Sequence, residues 1–154
     1  MPHAADLPER RMYLAGEWRS GTPYPIFCPH DALAVALVHR AGAADLEQAI
    51  QAAVDVLPAT RRMPAHQRAA ILRRVAAGIS ARAEELARII ALEAAKPIKQ
   101  ARIEVGRSIA TFSAAADEAT RSHDEALRLD AAAGGEQREA VVRRFPIGPV
   151  AAIA

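Results

Sequence analysis

Between Leu46 and Ala116 the apolar residues recur three and four apart in three successive stripes. Each stripe is about one helical face wide. The first runs Leu46, Ala49, Ile50, Ala53, Val54, Leu57; the second Leu72, Val75, Ile79, Ala83, Leu86, Ile90; the third Ile98, Ala101, Val105, Ile109, Phe112, Ala116. Arginine and glutamate cover the opposite sides, as in Arg82-Ala-Glu-Glu-Leu-Ala-Arg88. Such helices gain most of their stability by burying the apolar face, so each needs a partner surface. The spacing predicts three amphipathic helices. One ends or kinks at Pro58, a long one spans about 64–95, and one starts near Pro97.

Before the helices, Met12-Tyr-Leu-Ala-Gly-Glu-Trp18, Ile26-Phe27 and Ala34-Val-Ala-Leu-Val38 read as short strands, separated by Ser20-Gly-Thr-Pro23 and Pro29-His-Asp31. They predict an antiparallel meander. After the helices, Ala126-Leu-Arg-Leu-Asp130 and Ala140-Val-Val-Arg-Arg-Phe145 flank Gly134-Gly135 as a hairpin, with Leu127, Leu129 and Val141 expected on one face. Val150-Ala-Ala-Ile-Ala154, small and wholly apolar, reads as a strand buried on both faces of a parallel sheet. Such a strand needs a crossover and a neighbour, so the expectation is a piece of a longer α/β protein, ending where a doubly wound sheet starts.

Composition narrows the function classes. Of 154 residues, 20 are basic and 18 acidic, a formal charge of +2 that argues against a nucleic-acid partner, as does the interleaving of opposite charges. Alanine fills 38 positions and arginine outnumbers lysine 18 to 2, which fits G/C-rich coding as well as any function. No apolar run is long enough to span a membrane, no export signal is visible, and the single cysteine excludes an internal disulfide. A cytoplasmic location is expected.

Five segments, in order, resemble the N-terminal part of the aldehyde dehydrogenase superfamily. Tyr13-Leu-Ala-Gly-Glu-Trp18 is similar to its opening hairpin, and Ala44-Asp-Leu-Glu-Gln-Ala-Ile-Gln-Ala-Ala53 to its first helix. Arg61-Arg-Met-Pro-Ala-His-Gln-Arg-Ala-Ala-Ile-Leu-Arg73 resembles the W-x-x-x-P-x-x-x-R-x-x-x-L segment without its tryptophan. Ile90-Ala-Leu-Glu-Ala-Ala-Lys-Pro97 resembles the L-E-x-G-K-P turn, with Ala95 in place of the glycine. Pro146-Ile-Gly-Pro-Val-Ala-Ala-Ile153 is similar to the strand P-x-G-x-V-x-x-I that leads to the cofactor. The stretch from Glu104 to Asp130 leans toward members acting on lactaldehyde or phosphonoacetaldehyde.

The resemblance implies an α/β fold in three parts. Residues 1–124 would give strands and helices of the cofactor domain, 125–146 an oligomerisation hairpin, and 147–154 the start of a Rossmann-like core. It implies NAD or NADP as cofactor, a small aldehyde as substrate, and a homo-oligomer joined through 125–146, with Arg128, Arg138, Arg143 and Arg144 at or beside the boundary. A cysteine thiolate would attack the aldehyde, and the thiohemiacetal would pass hydride to the cofactor. The nucleophile, the oxyanion asparagine and the general-base glutamate fall beyond Ala154 in that family, so no catalytic residue is assigned. Ile153 and Ala154 are the cofactor-contacting candidates. The alternative is a non-catalytic interaction module derived from that fold.

Other residues take plainer readings. Cys28, between Phe27 and Pro29, is not expected to be a nucleophile. His3, His30, His39, His66 and His123 lack metal-site spacing and read as surface histidines. Gly134-Gly135 lacks the context of a phosphate loop. Glu84-Glu85 and Asp117-Glu118 are adjacent on helices and cannot face each other as an acid–base pair.

Overall fold

The computed structural model describes residues 7–121 and 124–153. The strands expected as a simple meander form two small sheets. β1 (Glu9–Arg10), β5 (Ala34–Arg40) and β4 (Thr22–Phe27) make one, in the order β1-β5-β4. β4 is antiparallel to β5, whereas β1 runs parallel to it, with Glu9 opposite Leu37 and Arg10 opposite Val38. β2 (Met12–Leu14) and β3 (Glu17–Arg19) form a separate hairpin. Its two-residue turn places both Ala15 (φ 51°) and Gly16 (φ 91°) in the left-handed region that such turns demand.

The three expected helices are four. α1 (Ala43–Arg62) continues through Pro58. The proline removes the donor that would meet the Val54 carbonyl, and farther along the last turns Thr60 Oγ1 and Arg62 Nε donate to the carbonyls of Val56 (2.9 Å) and Pro58 (3.0 Å). At its start Asp45 accepts the Gly42 N–H at 2.8 Å. The long second helix divides into α2 (Ala65–Ala81) and α3 (Ala83–Ala94) at Arg82, whose backbone (φ −113°, ψ 20°) leaves helical geometry. Arg82 then reaches forward to both carboxylate oxygens of Glu85 at 2.8 and 2.6 Å. The bend lets both segments lie against α4 (Ile98–Glu118).

The core at this three-helix contact is built from small side chains. Ala87, Ala101 and Val105 are buried, wrapped by Ile79, Leu86, Ile90 and Ile109. Ala69 and Ala116 are likewise fully buried. Alanine at the crossing points lets the helix axes approach closely, which gives a function to part of the alanine excess. Arg102 forks onto Glu84 (2.9 and 2.8 Å) from α4 to α3, and Arg73 meets Asp117 (3.2 Å) from α2 to α4. The paired carboxylates therefore serve ion pairs on the surface. These pairs fix register more than they add stability.

β6 (Glu125–Arg128) and β7 (Glu139–Val142) form the expected hairpin, in the register Leu127↔Ala140 and Ala126↔Val141. Directly opposed residues share a face, so Leu127 faces the same way as Val142, not Val141 as the sequence reading had it. Arg143–Ile153 contains no strand, although Val150–Ile153 has strand composition. A strand is defined by its ladder, and no element of the described residues pairs with this one.

Candidate functional site

The segment that leaves the hairpin is the place to which the sequence assigns cofactor contact. Arg144, Phe145 and Pro146 lie across the turn between α1 and α2, closing one side of a cleft of about 660 Å³ with Leu57, Thr60, Arg61 and Arg68. The Arg61 guanidinium sits 5.7 Å from the centre of the Phe145 ring, within cation–π range. Arg68 Nη1 donates to the Met63 carbonyl at 2.5 Å, holding that turn in shape. Gly148 then adopts φ +128°, a conformation side chains disfavour, and the chain runs on to Ile153 without regular secondary structure. Ile147, Val150 and Ile153 are 94%, 76% and 99% exposed. Ile153 thus stands in the open, and Ala154 lies outside the described residues, as do His3 and His123.

The other candidates are structural. Cys28 is 6% exposed and sits in a tight turn, its N–H on the Leu33 carbonyl (2.8 Å) and its carbonyl accepting from Ala32 (2.9 Å). The Leu33 N–H (3.0 Å), and after it the Cys28 thiol, hold the Asp31 carboxyl below its usual range. Gly134-Gly135 is filled by the chain itself. The Gly134 N–H donates to Glu136 at 2.9 Å, and the backbone N–H groups of Glu136 and Gly134 hold that carboxyl below its ordinary value. A Cβ on Gly135 would fall 1.9 Å from the Leu129 carbonyl oxygen, so only glycine fits there. Among the described residues no three His, Cys, Asp or Glu side chains gather as metal ligands.

His39 is the residue whose placement the sequence hid. His30 and His66 are exposed as expected, but the His39 side chain is only 7% exposed. Its Nε2 lies 2.6 Å from Glu9, and its Nδ1 lies 3.0 Å from the Gly21 carbonyl and 3.1 Å from the Gly21 N–H. The Gly21 backbone first, and the Glu9 carboxylate second, push the imidazole above its ordinary 6.5. Alternation along β5 puts His39 on the same sheet face as Leu37, whose cross-strand partner is Glu9, but Glu9–Arg10 carries no strand signal of its own.

The fold and the chain order agree with known proteins. The model of the aldehyde dehydrogenase family matches residues 17–154. Lactaldehyde dehydrogenase of Methanocaldococcus jannaschii is 33% identical over 142 residues, covering 92% of this chain and 29% of that protein. Aldehyde dehydrogenase 21 of Physcomitrella patens, solved with the reaction product succinate, superposes with a TM-score of 0.87 at 34% identity, over 92% of this chain and 30% of that one. The NADP-dependent glyceraldehyde-3-phosphate dehydrogenase of Bacillus halodurans, solved with NADP, gives 0.84 at 30% identity, over 91% and 30%. The chain spans under a third of the length of the curated relatives it matches. With the family model covering all but the first sixteen residues, and the helices and hairpins superposing on solved members, this chain belongs to the aldehyde dehydrogenase family.

Proposed function

We propose that the chain is the N-terminal portion of an NAD(P)-dependent aldehyde dehydrogenase that oxidises a small aldehyde to its carboxylate through a cysteine thiohemiacetal. The observation that carries this reading is the match over residues 17–154, in order and without rearrangement. In this reading the helices and small sheets are scaffold, and Pro146–Ala154 delivers the chain to the dinucleotide cleft, where Ile153 and Ala154 contact the cofactor. The nucleophile, oxyanion donors and general base come from sequence beyond this chain. A hydroxy-aldehyde substrate is favoured by the spacing between Glu104 and Asp130 and by the substrate named for the Methanocaldococcus relative. The enzyme works in the cytoplasm. No helix among the described residues is long and apolar enough to cross a membrane.

The hairpin at 125–146 serves assembly. Two strands are marginal alone, and Leu127, Val141 and Val142 are 45%, 60% and 40% exposed, so this arm gains stability by adding to another sheet. The reading is therefore a homo-oligomer built on two-fold dimers. The second reading, an interaction module without catalysis, draws on the same exposed arm.

One experiment tests where the catalytic groups lie, and one observation separates the two readings. Purified 154-residue chain with NAD or NADP and lactaldehyde is expected to give no rise in absorbance from reduced cofactor. Saturable cofactor reduction that Cys28→Ala abolishes would overturn the assignment of the catalytic groups to other sequence. An in-frame continuation of the coding sequence beginning Pro-Phe/Trp-Asn supports the enzyme, and an immediate stop supports the module.

A further inference from the structure

The cleft at the turn between α1 and α2 is lined by three guanidiniums and, among the described residues, by no carboxylate. Arg61 lies in the last turn of α1, Arg68 near the start of α2, and Arg144 in the segment that leaves the hairpin. Elsewhere surface arginines are neutralised. Arg73, Arg82 and Arg102 each have a carboxylate oxygen within 3.2 Å. Among the described residues Arg61 and Arg68 have no such partner, and Arg144 has only Glu125, at 3.7 Å with both side chains exposed.

Neutral groups hold these arginines instead. Arg68 Nη1 donates to the Met63 carbonyl at 2.5 Å, and the Arg61 guanidinium rests 5.7 Å from the centre of the Phe145 ring. A carbonyl and a ring face orient a guanidinium without cancelling its charge. Each guanidinium carries several N–H donors in a planar fork that matches phosphate and carboxylate oxygens, so most of those on Arg68 stay available. Arg62 adds a further positive charge in an adjoining hollow of about 460 Å³ that shares Leu57 and Arg61. Its Nε is likewise held by a carbonyl, that of Pro58, at 3.0 Å.

The dimensions and the charge limit what fits. The main cleft, at about 660 Å³, has room for a small molecule, and Leu57, Phe145 and Pro146 give it an apolar side. A monoanion would leave the cleft net positive. Meeting all of its guanidiniums takes a ligand of charge about −3, with anionic oxygens at more than one place. We propose that Arg61, Arg68 and Arg144 form a binding site for a small polyanion, a diphosphate or a tricarboxylate, that bridges the α1–α2 turn and the segment leaving the hairpin. The walls belong to two separate parts of the chain, so the bound ligand also holds Arg144 and Phe145 against the turn.

The test is a nuclear magnetic resonance titration of the whole chain at about pH 7.5 with sodium pyrophosphate, and in parallel with sodium citrate. Sodium chloride of equal ionic strength is the reference. The Nε–H signals of Arg61, Arg68 and Arg144 and the Phe145 ring protons should shift together and saturate, half-way at about 1 mM of the better probe in low salt. The tighter probe identifies the recognised group as phosphate or carboxylate. Arg61→Gln and Arg144→Gln should each weaken binding about threefold to tenfold, and the double variant should abolish saturation. Arg73→Gln, whose arginine is committed to Asp117, should bind as the parent does. The Val105 amide in the helical core should keep its position in every variant, reporting an intact fold. Shifts that rise linearly without saturating, that appear equally at Arg73 and Arg102, or that survive the double variant would overturn the site.

Discussion

Ala95 sits at the C-terminal cap of α3 with φ 49° and ψ 33°, the left-handed conformation that helix ends use and glycine prefers. For an alanine that conformation costs about 1–2 kcal/mol through the clash of Cβ with the backbone. Ala95→Gly removes the clash, and the greater freedom of glycine in the unfolded chain takes back about 0.4–1 kcal/mol. Ala95 is exposed, so no packing is lost. The net gain is about 0.5–1 kcal/mol, near 2–3 °C in melting temperature for a chain of this size. Urea unfolding followed by circular dichroism at 222 nm, with unchanged slope, measures it. Ala77→Gly, on the exposed interior of α2, is the control and should lose about 1 kcal/mol. If Ala95→Gly is destabilising like Ala77→Gly, the left-handed cap is not the source of strain and the reasoning fails.

Gly135→Ala should displace the hairpin loop, because its Cβ would sit 1.9 Å from the Leu129 carbonyl oxygen. The expected cost is about 1–3 kcal/mol, read locally as faster exchange of the Leu129 amide that donates to Arg138. Glu84 is held below its ordinary 4.5 chiefly by Arg102, so its contribution is present above that pH and lost as pH falls through the lowered value. Arg102→Met should move the Glu84 carboxyl carbon titration back toward 4.5. If the oligomer forms through the hairpin, Leu129→Asp in the complete enzyme should lower the mass seen by light scattering before cofactor affinity changes; an unchanged mass places the interface elsewhere.

The sequence carried the helices because their stripes are written in spacing. Leu72, Val75 and Ile79 continue without a phase break into Ala83, Leu86 and Ile90, and that continuity also concealed the bend at Arg82. A stripe can keep its period while the axis turns, since both halves face α4. Strands were legible where apolar letters alternate, in β5 and the hairpin, and illegible at Glu9–Arg10, two charged residues with no alternation to read. Hairpin register depends on loop length and geometry, which is why Val141 was set on the wrong face. The role of His39 was not legible, because it depends on Glu9 and Gly21, thirty and eighteen residues away.

The central claim is that these residues are the N-terminal part of an aldehyde dehydrogenase and position the chain for dinucleotide binding. It is tested most directly by grafting them in place of the matching 29% of the Methanocaldococcus lactaldehyde dehydrogenase and measuring reduction of NAD and NADP with lactaldehyde. The account predicts a folded chimera that reduces the cofactor in proportion to substrate oxidised. A chimera that melts cooperatively, yet neither binds nor reduces either dinucleotide, would contradict it.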